Sequence, residues 1–120
     1  MKNYFTFWLL FLFAMLTMLL FACKKDTNNN NNNNGSPLIF TELKADNDTI
    51  IAGTTTYVRA TASGDGLTFQ WSATAGDILG AGANIQYAAP PCVAGINTIT
   101  CTVKDSGNNT QTKTVNIVSI

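Results

Sequence analysis

Leu67-Thr68-Phe69-Gln70-Trp71-Ser72-Ala73-Thr74 is the stretch whose reading decides the fold. Leu67, Phe69 and Trp71 alternate with Thr68, Gln70 and Ser72, a period of two that sets three large apolar side chains on one face of a strand and three polar ones on the other. Fully burying each of the large side chains contributes about 1.5–3 kcal/mol, so this face is expected to pack against a second layer. Trp71 is the expected centre of that core. The rival reading, an exposed sugar-stacking Trp71, conflicts with Phe69 and Leu67 on the same face.

Outward from this strand the period stays at two. On the N-terminal side Ser63-Gly64-Asp65-Gly66 is a turn, since Asp and Gly supply positive φ values. Before it, Thr55 to Ala62 alternates Val58, Ala60 and Ala62 against Tyr57, Arg59 and Thr61. Leu38 to Lys44 reads as a first strand, with Thr49-Ile50-Ile51 as its short continuation and Ala52-Gly53 as the turn. On the C-terminal side Asp77 to Leu79 is a short edge strand, and Ala83 to Ala88 carries Ile85 and Tyr87 inward. Pro90-Pro91 stops it, because proline donates nothing to a ladder. Asn97 to Lys104 sets Ile99, Cys101 and Val103 against Thr98, Thr100, Thr102 and Lys104. After the turn at Asp105-Ser106-Gly107-Asn108, Thr110 to Ile120 turns Val115 and Ile117 inward. About seven strands in about 84 residues predict an all-β chain of two packed antiparallel sheets with Greek-key connections.

Three segments together carry a family likeness. They are Phe69-Gln70-Trp71-Ser72-Ala73-Thr74-Ala75-Gly76, Tyr87-Ala88-Ala89-Pro90, and Gly95-Ile96-Asn97-Thr98-Ile99-Thr100-Cys101-Thr102-Val103-Lys104-Asp105. They resemble the immunoglobulin-like and PKD-like repeats of bacterial surface proteins over most of residues 37–120. The Trp-Asp-Phe-Gly-Asp-Gly type of motif of PKD repeats is absent. The resemblance implies a β-sandwich that serves as a spacer, adhesion or ligand-binding module, without catalysis and without a cofactor.

Composition narrows the chemistry. The chain has no histidine, which removes the commonest general base and the commonest metal ligand. From Ser36 to Ile120 the acids Glu42, Asp46, Asp48, Asp65, Asp77 and Asp105 outnumber the bases Lys44, Arg59, Lys104 and Lys113 by two. A slightly acidic, unclustered surface has no footprint for a phosphate backbone, so nucleic acid is not expected as a partner. The aspartates fall at strand ends and turns, where Asp is a common turn former. Asp46-x-Asp48 is the best local calcium pair, but calcium needs more converging oxygens than two. No metal site is expected. A paired-carboxylate glycosidase site needs a cleft that a small sandwich scarcely offers.

Cys92 and Cys101 are the two cysteines of this part. Cys101 faces inward by strand alternation, and Cys92 lies in the loop crossing between the sheets. Two readings stand: a disulfide, which would contribute up to about 3 kcal/mol by closing a short loop, or two small buried hydrophobes. Asp48-Thr49-Ile50 resembles the short acceptor pattern for O-glycosylation in Bacteroidetes, which makes Thr49 the implied acceptor. The threonine runs Thr98, Thr100, Thr102 and Thr110, Thr112, Thr114 are either a binding surface or ordinary solvent-facing strand positions, for which Thr has good propensity.

The N-terminal part reads as an address. Met1-Lys2-Asn3 is a basic start, and Tyr4 to Phe21 is apolar except for Thr6 and Thr17. A small residue, Ala22, precedes Cys23, as a signal-peptide cut requires. Leu20-Phe21-Ala22-Cys23 resembles the lipobox of bacterial lipoproteins, whose cysteine is acylated, and this implies residues 1–22 as signal peptide and Cys23 as the lipidated residue. The alternative is an uncleaved anchor, since about 20 apolar residues span a bilayer. Lys24-Lys25-Asp26 resembles the charged patch of surface-exposed Bacteroidetes lipoproteins. That implies the outer membrane, with the membrane itself as one partner, and the immunoglobulin-like resemblance implies a surface glycan or protein as another. Residues 23–36 include seven consecutive asparagines, Asn28 to Asn34, and with nothing apolar to pack they read as a disordered tether. About 13 residues of flexible chain span roughly 20 Å. The sandwich domain is then residues 37–120.

Overall fold

The computed structural model describes residues 35–120. The export segment, Cys23 and the asparagine tract lie outside the described residues. Eight strands follow in order: β1 Ile39–Ala45, β2 Thr49–Ile50, β3 Thr55–Ser63, β4 Thr68–Ala73, β5 Asp77–Leu79, β6 Asn84–Ala88, β7 Gly95–Lys104 and β8 Thr110–Ser119. They form two four-stranded sheets, β1-β3-β6-β5 and β2-β8-β7-β4. The chain is an all-β sandwich. With β2 set aside, the first sheet has the ABED order of immunoglobulin constant-type domains, and β4, β7 and β8 stand as C, F and G.

The alternation predicted from sequence sets the core. Val58 and Ala60 of β3, Ile85 and Tyr87 of β6, and Ile99, Cys101 and Val103 of β7 are all buried between the sheets. Ile117 of β8 joins them, while Val115 is half-buried against the same cluster. In β1 a bulge between Phe40 and Glu42 resets the phase, so that Phe40 and then Ala45 face inward across one irregularity. A bulge adds one residue opposite its partner strand and so shifts the alternation.

Two expectations are corrected. Thr49-Ile50 does not continue β1 in its own sheet: it crosses to the second sheet and pairs parallel with Val118 and Ser119 of β8. This lets Ile50 bury in the core, and it makes the sandwich antiparallel everywhere except at this pair. Trp71 is not the centre of the core. β4 is an edge strand, and β5, the edge strand of the other sheet, has only three residues to set against it. Leu67, Phe69 and Trp71 are therefore half-buried, and the indole of Trp71 donates from Nε1 to the Gly82 carbonyl at 2.8 Å. The fully buried centre belongs to Tyr87, Ile85, Ile99, Ile117 and Val58.

The two ends of the sandwich are closed by polar contacts. At one, Gln111 of β8 bridges to the start of β1, accepting from the Phe40 amide at 2.7 Å and donating to the Leu38 carbonyl at 3.0 Å. At the other, buried Asn97 donates to the Ser119 hydroxyl at 3.1 Å, which donates on to the Val93 carbonyl at 2.9 Å. Among the described residues no buried side-chain polar atom lacks a partner.

Candidate functional site

The outer face of the β1-β3-β6-β5 sheet carries the most chemically varied surface. In β3, Thr56 and Val58 are buried, so Tyr57 between them must point out, and its ring stands half exposed at 52%. Gln86 lies directly across on β6, and Leu79, across from Gln86 on β5, is 46% exposed. Arg59, two residues along the same face, pairs with Asp46 at 2.9 Å and stands opposite Asn84. Asp46 in turn donates its amide to the Tyr57 carbonyl at 2.9 Å. Gln86 donates from Nε2 to the Thr55 hydroxyl at 2.9 Å. The sequence places Tyr57 and Arg59 on the outward phase, but the clustering of Asn84, Gln86 and Leu79 around them depends on strand pairings that the sequence does not display.

The outer face of the second sheet is the threonine surface. Its side chains are occupied with one another: Thr102 and Thr112 hydroxyls meet at 2.9 Å, and Thr98 donates to Asn116 Oδ1 at 2.9 Å. Cross-strand pairs of this kind stabilise a sheet. At its far end Ile96, Ile51 and Ile120 are exposed at 67%, 64% and 66%. Ile96 pairs with Val118, Thr49 pairs with Val118 on its other side, and Ile120 bonds through its amide to the Ile50 carbonyl. The three isoleucines therefore lie at one end of the neighbouring strands β2, β8 and β7. The phase of Ile96 with Thr98 and Thr100 is the sequence signal that Ile96 faces outward.

Four of the aspartates are engaged one by one, while Asp77 is exposed at the start of β5. Asp65 accepts the Ser36 amide at 2.7 Å. Asp105 accepts from both the amide and the Nδ2 of Asn109 at 2.8 Å each, and the Asn109 side chain beside it holds its carboxyl below the usual carboxylate range. These residues line a polar cavity of about 390 Å³ between residues 35–37 and the β3–β4 and β7–β8 turns. Asp48 accepts the Thr49 hydroxyl at 3.2 Å while Asp46 turns to Arg59, so Asp46-x-Asp48 does not converge on a point. Among the described residues no three carboxylate or thiol groups gather as metal ligands. Thr49, the implied glycosylation acceptor, is exposed at the start of β2.

The disulfide reading is corrected. Cys92 and Cys101 are free thiols, the first exposed and the second buried. Three residues from Cys92 to Gly95 reach at most about 11 Å. Cys101, six residues up the extended strand that starts at Gly95, lies about 20 Å from that start. Bonded cysteines need Cα atoms within about 7 Å, so closing this bond would require unravelling the first half of β7. Cys92 instead adopts φ +62° after Pro90-Pro91. Cys101 packs with Ala60 and Val103 beside Trp71, and burial pushes its thiol up to about 11. In immunoglobulin domains a cysteine of strand F bonds to one of strand B under the Trp of strand C; here β3 brings Ala60 to the same cluster.

No protein-family profile matches the chain, and neither does any curated protein. Among solved structures it is similar to a nucleoside hydrolase-related hypothetical protein from Saccharophagus degradans that is associated with carbohydrate metabolism. The similarity has a TM-score of 0.53 and 20% sequence identity, over 71% of this chain and 25% of that one. The likeness is one of fold, and the chain spans about a quarter of that neighbour's length.

Proposed function

We propose that the protein is a cell-envelope lipoprotein of the outer membrane that displays a non-catalytic binding module. In this reading residues 1–22 direct export, Cys23 carries the acyl chains, and residues 23–36 tether the sandwich. The displayed domain then serves adhesion, or the binding of a glycan or protein. The observation that supports it best is where the chain enters the sandwich. Ser36 is held by Asp65 beside the β3–β4 turn, so a chain arriving from Cys23 joins one end of the sandwich. Both outer faces and the isoleucine end stay clear of that junction. Two or three acyl chains, as the lipobox resemblance implies, give firm attachment, since each buried CH₂ contributes about 0.8 kcal/mol and one chain holds only marginally. Thr49, exposed on β2, is available as the O-glycan acceptor.

A second reading makes the domain an accessory module of a polysaccharide-degrading system. It is favoured by the carbohydrate association of the structural neighbour. A plain spacer is the third. Protease treatment of intact cells producing the full chain tests display: degradation without lysis is expected, and protection until the outer membrane is opened would contradict surface exposure.

A further inference from the structure

We propose that the outer face of the β1-β3-β6-β5 sheet binds an uncharged glycan chain, with Tyr57 as the stacking platform. The proposal rests on the reading of the domain as a displayed binding module and names its ligand class and site.

Four observations carry it. The first is the placement of the ring. Tyr57 belongs to β3, which is bonded to β1 on one side and β6 on the other. Buried Thr56 and Val58 fix its orientation. A half-exposed aromatic on an interior strand is already ordered before a ligand arrives, and that reduces the cost of binding. The second is the company it keeps. A pyranose ring offers C–H groups on its face and hydroxyls around its edge. An aromatic face packs against the former, and planar amides, guanidinium and carboxylate bond adjacent hydroxyls in pairs. Around Tyr57 stand Gln86, Asn84, Arg59 and Asp46, all planar polar groups on one face.

The third observation is charge. Arg59 and Asp46 neutralise each other at 2.9 Å, and the outward positions of β1 add Glu42 and Lys44, one of each sign. Asp77, on the same outward phase of β5 as Leu79, leaves the face with a single net negative charge, which gives no preference to an acidic polysaccharide, a phosphate backbone or a strongly charged protein. The fourth is extent. Tyr57 and Leu79 lie two strands apart with Gln86 between them, about 10 Å at normal strand spacing. Two apolar contacts separated by a polar one suit successive sugar rings of a chain better than the contiguous apolar centre of a protein interface.

The test is native electrophoresis of the purified full-length chain, in a polyoxyethylene detergent, through gels containing neutral mannan, xylan, starch or β-glucan, with polygalacturonate as the charged comparison. At least one neutral gel is expected to retard the wild-type chain. Tyr57→Ala is expected to raise the dissociation constant at least about tenfold, Tyr57→Phe, which restores the ring, is expected to recover most of that loss, and Ile96→Ser, on the other sheet, leaves it unchanged. Asn84→Ala, which removes an exposed carboxamide without touching the core, is expected to weaken retention as well, and it carries the test should Tyr57→Ala not fold. Unchanged retention in folded Tyr57→Ala, or in Asn84→Ala where Tyr57→Ala does not fold, would overturn the proposal. So would retention only by polygalacturonate, or by no neutral gel. An acylated, surface-exposed chain that no gel retards would refute the glycan site alone; a retarded chain without acyl groups would refute the anchored display alone.

Discussion

At Gly76 the backbone takes φ +85°, and a Cβ there would meet the Ala88 carbonyl and the ring of Tyr87. Tyr87 is fully buried and donates its hydroxyl to the Ala75 carbonyl at 2.9 Å, so the turn and the core centre are locked together. Gly80 has a similar φ of +95° but open space around it. Gly76→Ala is therefore expected to cost about 3 kcal/mol or more, from backbone strain plus overpacking. Gly80→Ala should cost only the strain, about 1 kcal/mol. Urea midpoints of the two variants measure the difference. At Cys101 burial raises the thiol from its ordinary 9.0 to about 11. Stability contributed by keeping this thiol protonated is complete below pH 9 and is lost as pH rises to 11, because the unfolded chain releases the proton first. The loss approaches about 2–3 kcal/mol. Urea unfolding from pH 8 to 11 should show Cys101→Ala losing less stability over this range than the wild type. The part that remains includes Tyr87, whose hydroxyl burial also raises.

At the scale of elements, β4 shows how an edge changes the meaning of a side chain. Its alternation was legible in the sequence, and so was the inward face of β3, β6 and β7, because each carries two or three apolar residues in strict phase. Its position was not. Edge and centre depend on strand order, which is fixed by pairings as distant as Trp71 with Cys101 and Phe69 with Val103. The same reason hid the crossing of β2, whose partner Val118 lies far along the chain. The disulfide expectation failed for a related cause: strand β7 starts at Gly95 and carries Cys101 away from the loop. Trp71 now acts as a clasp, holding the Gly80–Ala83 turn over the open side of β4 through Nε1 and Gly82. Trp71→Phe keeps most of the apolar contact and removes the donor. It is expected to lower stability by about 1 kcal/mol and to speed amide exchange in residues 80–83. Exchange unchanged there would mean that the turn is held by its own backbone.

For the whole molecule, the sequence reads as a proposed address and tether followed by a sandwich, and the sandwich is the part that the described residues contain. A surface that binds is harder to read, because it is assembled from positions on different strands. Tyr57, Arg59, Asn84 and Gln86 come from β3 and β6, and only their register brings them to one face. The exposed isoleucines likewise come from the neighbouring ends of β2, β7 and β8. In the polar cavity beside residues 35–37 the carboxylates are already engaged, Asp65 by the Ser36 amide and Asp105 by Asn109. Binding is therefore expected on the sheet face, away from the anchored end. The proposed display of this face at a membrane depends on Cys23 being the attachment point. Intact-mass analysis of the full chain extracted from bacterial membranes tests that most directly. The account predicts a polypeptide that begins at Cys23 and carries the added mass of two or three acyl chains. A mass that retains residues 1–22 without lipid would contradict it and would make those residues an uncleaved anchor.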